Sequence, residues 1–235
     1  MSYSRFVYSK EELETMADNI NRRFFSNRLI SVSPLDPYDL VEKIGCDIEW
    51  KYISPDESIL GMTFFEDGMW YIWENGVCVP GVLPKKECFK KSTVVINQMV
   101  LDKQKPKNEN WVVTHEASHW IKDQEFFKSQ EDTPFQICVN NDFECTYWNN
   151  DMPTLKLIEA QTNYLAAAIL MPREVTHERF FKLCRYKNIP QKPIEYKSFM
   201  RAQIATLANE YNLNFNPVRY RLYDIDVFDR KNNWR

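Results

Sequence analysis

The residues with the clearest chemical potential lie in Trp111-Val-Val-Thr-His115-Glu116-Ala-Ser-His119-Trp120, a His-Glu-x-x-His pattern that uses two of the chain's three histidines. Four residues turn a helix by about 400°, so His115 and His119 fall roughly 40° apart on one face, about 6 Å along the axis. That spacing lets two imidazole nitrogens reach one zinc at about 2.0–2.1 Å. Glu116 projects beside the metal, where its carboxylate can take a proton from water. Trp111, Val112 and Val113 fit a buried helix.

A catalytic zinc takes three protein ligands and keeps one open position. From residue type alone the third ligand is open among His, Asp, Glu and Cys. Glu159 is the only acidic residue between Thr154 and Met171. It stands at the edge of a stripe of Leu155, Ile158, Thr162, Leu165 and Ile169, where an ordinary solvated glutamate fits as well as a ligand. Asn163 follows one turn later on the same face, placed either to hydrogen-bond a ligand imidazole or to lie on the surface. His177 and the tyrosines Tyr147 and Tyr164 are weaker candidates for stabilising an oxyanion.

His-Glu-Ala-Ser-His, followed by Ile158-Glu-Ala-Gln-Thr-Asn-Tyr-Leu-Ala-Ala-Ala-Ile-Leu-Met-Pro172, resembles the ImmA/IrrE family of zinc metallopeptidases. In that family a His-Glu-x-Gly-His helix is followed by one reading roughly Glu-x-Gln/Glu-Ala-Asn-x-Phe-Ala-Ala-x-Leu-Leu-Met-Pro. The resemblance implies that Glu159 is the third ligand, beside His115 and His119, with one Zn2+ per chain and Glu116 as general base. It also implies a zincin-like α+β fold and a protein substrate of the helix-turn-helix repressor kind. Ser118 stands where that family has Gly, Thr162 where it has Ala, and Leu165 where it has Phe. Gly45-Cys-Asp-Ile and Val94-Val-Ile-Asn97 resemble its strands before the metal helix, and the segment from Ile204 to Leu222 its C-terminal helices.

The elements that must position these residues are legible in outline. Ser9 and Glu12 form a capping box ahead of Leu13, Met16, Ile20 and Phe24 at helical spacing. Asp36-Pro37 opens a second helix that Gly45 stops. Alternation over 46–52 predicts a half-buried strand. Asp67-Gly68 and Asn75-Gly76 separate short aromatic and β-branched runs (Met62–Phe65, Met69–Trp73, Val77–Val79), which predicts a meander. Thr93–Asn97 reads as a further strand, exposed enough to hold a substrate by strand addition. Lys103–Asn110 reads as a loop, and a helix begins at Trp111. A polar insertion carrying Cys138 and Cys145 runs from about Asp123 to Asp151, and Pro153 opens a helix that Pro172 ends. The expected class is α+β, a small antiparallel or mixed sheet with a helical core carrying the His-Glu-x-x-His helix. The expected domains are a metallopeptidase domain over 1–192 and a helical segment over 193–235 packed on it. That segment, with Ser198–Tyr211 and a helix opened by Asn216-Pro217, also admits a helix-turn-helix reading through Arg201, Arg219 and Arg221.

Composition narrows the function classes. The chain has 235 residues, 44% hydrophobic and 27% charged, which excludes a disordered protein. A net charge of −3 gives no support to a broad nucleic-acid surface, so direct DNA binding is not expected. No apolar run reaches membrane-spanning length, the opening residues lack a hydrophobic secretory core, and six cysteines occur without Cys-x-x-Cys. A cytoplasmic protein with free thiols is expected. Two competing classes remain. One is a protein- or DNA-binding regulator with a structural zinc, closed by a fourth ligand such as Cys138 or Cys145; a separate metal site of Cys138 and Cys145 with Cys78 and Cys88 has little support without Cys-x-x-Cys. The other is an interaction module without metal.

Overall fold

A computed structural model describes residues 7–74, 83–101, 106–128, 135–139 and 152–230. The predicted strand at Val77–Val79 and the side chains of Cys78, Cys138, Cys145 and Tyr147 lie outside the described residues. The architecture is α+β. In chain order the elements are α1 (Lys10–Phe24), α2 (Pro37–Lys43), β1 (Asp47–Lys51), β2 (Ile59–Phe64), β3 (Gly68–Ile72), β4 (Lys85–Phe89), β5 (Thr93–Asn97), α3 (Pro106–Lys128), β6 (Phe135–Val139), α4 (Thr154–Leu170), α5 (Arg173–Leu183), α6 (Arg201–Glu210) and α7 (Phe215–Asp224). Two compact units emerge, one built on Asp36–Asn163 and the other on Tyr8–Leu35 with the chain from Tyr164 onward. Among the described residues no helix is long and apolar enough to cross a membrane.

In the first unit a four-stranded mixed sheet has the order β1-β5-β2-β6. β1 runs parallel to β5 (Ile48↔Val94), and β2 is antiparallel to both β5 and β6. Asp36 caps α2 by accepting from the Tyr38 amide. The chain then turns at Gly45, whose φ of +78° favours glycine. Met62, Phe64, Ile72, Phe89 and Val95 form one cluster of this unit's core. Phe65, Phe126, Phe127 and Ile158 form another, between α3 and the start of α4.

The fold departs from four of these expectations. β2 and β3 are not partners in a meander: β3 pairs with β4 in a separate two-stranded sheet. Thr93–Asn97 is wholly buried and lies between β1 and β2, so it offers no free edge to a substrate. Five consecutive buried residues suit a central strand covered on both faces. The stretch read as a loop before Trp111 is helical from Pro106: proline suits a first helical turn, but Lys107–Asn110 is polar and carries no apolar stripe to betray it. The insertion opens with helix instead of loop, since α3 continues to Lys128, and it contributes strand β6 to the edge of β2.

In the second unit the capping box is present: Ser9 Oγ accepts from the Glu12 amide and Glu12 from the Ser9 amide. Arg28 is buried and donates to the Ile169 and Leu170 carbonyls at the C-terminus of α4. Arg221 has no exposed surface and forms a two-pronged pair with Glu14 (2.7 and 2.9 Å), which also accepts from the Tyr164 hydroxyl. Arg221 is therefore a core residue, not a basic contact on a helix-turn-helix face. Arg201 lies over the Phe215 ring and Arg219 over the Tyr220 ring. α7 opens at Phe215, one residue before the Asn216-Pro217 start read from sequence.

Candidate metal centre

The three candidate ligands come from two helices, at positions that all fall in the first unit. α3 is buried continuously from Trp111 to His119, because its neighbours in the core surround it on all sides. It presents His115 and His119 from successive turns. α4 brings Glu159 to the same point. The Nε2 atoms of His115 and His119 lie 3.1 Å apart, and Glu159 places Oε2 3.2 Å from His115 Nε2 and Oε1 3.3 Å from His119 Nε2. Two ligand atoms each about 2.0–2.1 Å from a tetrahedral ion stand ~3.3 Å apart, so the separations suit one metal ion.

The partners on the far side of each imidazole settle which atoms face inward. His119 Nδ1 donates to Asp123 Oδ2 at 2.8 Å, and His115 Nδ1 donates to Asn163 Oδ1 at 3.0 Å. With its proton on Nδ1, a neutral imidazole turns a lone pair through Nε2. Two such Nε2 atoms 3.1 Å apart, with no exposed surface on either ring, call for a shared proton or a metal ion between them. The donor set therefore fits a metal ion. Thr162 Oγ1 lies 3.2 Å from His119 Nδ1 while donating to the Ile158 carbonyl, which explains a hydroxyl on this otherwise apolar face. Asp123 is held in turn by the buried Lys122, whose Nζ is 2.6 Å from Asp123 Oδ1.

The electrostatics point the same way. Burial opposes ionisation of Glu159, but the two imidazoles facing it hold its carboxyl well below the usual carboxylate range. Burial also works against a charge on His119, yet the Glu159 and Asp123 carboxylates outweigh it and raise His119 to about 9. For His115 burial prevails and lowers the pKa. A field that draws a proton onto His119 also draws a cation to the point where the three ligand atoms meet.

Glu116 sits beside these ligands with no exposed surface. Thr63 of β2 donates to its Oε2 at 2.7 Å, while Oε1 is buried without a hydrogen-bond partner among the described residues. Burial pushes the Glu116 carboxyl up to about 8, against the opposing pull of His119. The space for this side chain exists because residue 61 is glycine: a Cβ there would stand 2.6 Å from Glu116 Oε1.

The structure thus brings His115, His119 and Glu159 together with Glu116 and Asn163. Among the described residues these three ligands form the one cluster of His, Cys, Asp and Glu with metal-holding geometry. The described cysteines, Cys46, Cys88 and Cys184, are free thiols. His177 is on α5, edge-on to Phe181, and the Tyr164 hydroxyl is committed to Glu14. Sequence reasoning missed Asp123, Lys122, Thr63, Gly61 and Gln136, whose side-chain amide donates to Glu159 Oε1 at 2.5 Å. Only Asp123 had a readable signal, since it lies four residues after His119 on the same helix face. Neither the known protein families nor the curated protein sequences compared with this chain include a match.

Proposed function

We propose that this protein is a zinc-dependent endopeptidase that hydrolyses a peptide bond in a protein substrate. One observation carries the reading: three convergent ligand atoms stand beside a buried glutamate whose Oε1 has no hydrogen-bond partner among the described residues. A structural metal needs no such carboxylate; hydrolysis needs a base within reach of water. The resemblance of the two metal helices to the ImmA/IrrE family supports the same class and suggests a helix-turn-helix repressor as substrate.

His115, His119 and Glu159 hold the ion. When bound, zinc supplies Lewis acidity, which polarises a scissile carbonyl and lowers the pKa of water toward ~7. Glu116 Oε1 takes a proton from the attacking water and passes it to the leaving amine nitrogen. Thr63 fixes Oε2 so that Oε1 carries the transfer. Asp123 and Asn163 hold the imidazoles in the tautomer that binds metal.

A second reading, a regulatory module in which the metal is only a structural pin, is favoured by the complete burial of His115, Glu116 and His119. The two readings separate in one experiment. Zinc-loaded wild type and Glu116→Gln are incubated with a helix-turn-helix repressor domain, and fragments are mapped by mass spectrometry. The peptidase reading predicts fragments from wild type and at least about a hundredfold slower cleavage by Glu116→Gln at equal zinc content. Equal cleavage by both at full occupancy would overturn the general-base role, and no cleavage by either would favour the structural pin.

A further inference from the structure

We propose that Gln136, carried by strand β6, is a positioning residue of the metal centre: its side-chain amide orients the Glu159 carboxylate toward the two imidazoles. The inference rests on the metal-binding half of the reading above and not on the hydrolytic step. Gln136 Nε2 lies 2.5 Å from Glu159 Oε1, the same oxygen that stands 3.3 Å from His119 Nε2. A second contact among the described residues, to the Ile137 carbonyl, is long at 3.4 Å, so the carboxylate is its principal acceptor. A carboxylate has several lone-pair directions, and an N–H fixed on one of them leaves the remainder aimed at the ion.

The placement follows from the sheet. Gln136 is directly opposite Thr63 in the β2–β6 ladder. Opposed residues of an antiparallel pair share a face, so both side chains reach the same side of the sheet. Thr63 takes the carboxylate of Glu116, and Gln136 takes that of Glu159. One cross-strand pair therefore grips the base and the third ligand together. Gln136 is also largely buried, at 9% exposure, where a glutamine is costly unless its amide is used. The segment that looks like an insertion into the metal domain thus contributes to the centre itself.

The test is a double-mutant cycle on zinc affinity, read by competition with chromophoric chelators spanning nanomolar to millimolar strength. Gln136→Leu keeps the volume and removes the donor. It should weaken zinc binding by about 10–100-fold in the otherwise wild-type protein. In a Glu159→Ala background the same change should cost no more than about twofold, because the group it acts through is gone. A general loosening of β6 would not show that dependence. If Gln136→Leu lacks the wild-type circular dichroism, Gln136→Thr, a residue suited to strands, is run through the same cycle. Equal losses in both backgrounds, or no loss in either, would overturn the role of Gln136 while leaving the metal site standing. Failure of the wild type to take up zinc would overturn the metal reading and this inference with it.

Discussion

At the scale of single residues, the ligand positions and their supports have different origins in the chain. His115, Glu116 and His119 lie within about one helical turn, so their convergence is a local property that spacing alone reveals. Glu159 needed the pattern around it, because a lone glutamate on a helix edge is as readily a solvated flank. Gly61, Thr63 and Gln136 were not legible at all. They reach the centre through strand pairing: Gly61 and Thr63 lie on β2, far ahead of α3 in the chain, and β6 sets Gln136 opposite Thr63. Gly61 yields a sharp prediction. Gly61→Ala places a Cβ 2.6 Å from Glu116 Oε1, so the carboxylate must swing away from its place while the ligands keep theirs. We expect zinc stoichiometry like that of the wild type, with kcat lowered at least about tenfold, the scale of loss when a general base is misplaced. Unchanged kcat would show that the crevice at Gly61 does not set the position of Glu116.

At the scale of elements, legibility tracked how much each segment's local signal had to say. Capping residues and prolines marked α1, α2 and α4 well, because a cap acts within one turn. Pairing was harder: β2 and β3 follow each other with a turn signal between, yet they belong to different sheets. Nothing in a short alternating run states its partner. The C-terminus of α4 illustrates a long-range device that no helix signal announces. Arg28 donates to the Ile169 and Leu170 carbonyls and to Asn21 Oδ1, and its burial lowers its pKa to about 10. Its charge is met by the negative end of the helix and, among the described residues, by no carboxylate. Arg28→Met keeps much of the side-chain volume but leaves buried carbonyls unmatched. It should lower the free energy of unfolding by about 3 kcal/mol, read from the midpoint of a urea denaturation curve. A loss below about 0.5 kcal/mol, as for an ordinary surface change, would show that water satisfies that helix end.

At the scale of the whole molecule, every residue of the candidate centre belongs to the unit built on Asp36–Asn163: the three proposed ligands, the proposed base Glu116, and Asp123, Asn163, Thr63 and Gln136 around them. The claim that joins these observations is that two imidazoles and one carboxylate bind a single ion. Zinc K-edge X-ray absorption on the protein loaded with one equivalent of zinc tests it most directly. The predicted spectrum shows nitrogen and oxygen scatterers at about 2.0–2.1 Å, two of them with the outer-shell signature of imidazole, and no sulfur. Glu159→Ala should lose one of the light scatterers and bind zinc more weakly. A sulfur shell near 2.3 Å would instead place a cysteine in the site and mark a closed structural metal, and a failure to hold one equivalent of zinc would contradict the account outright.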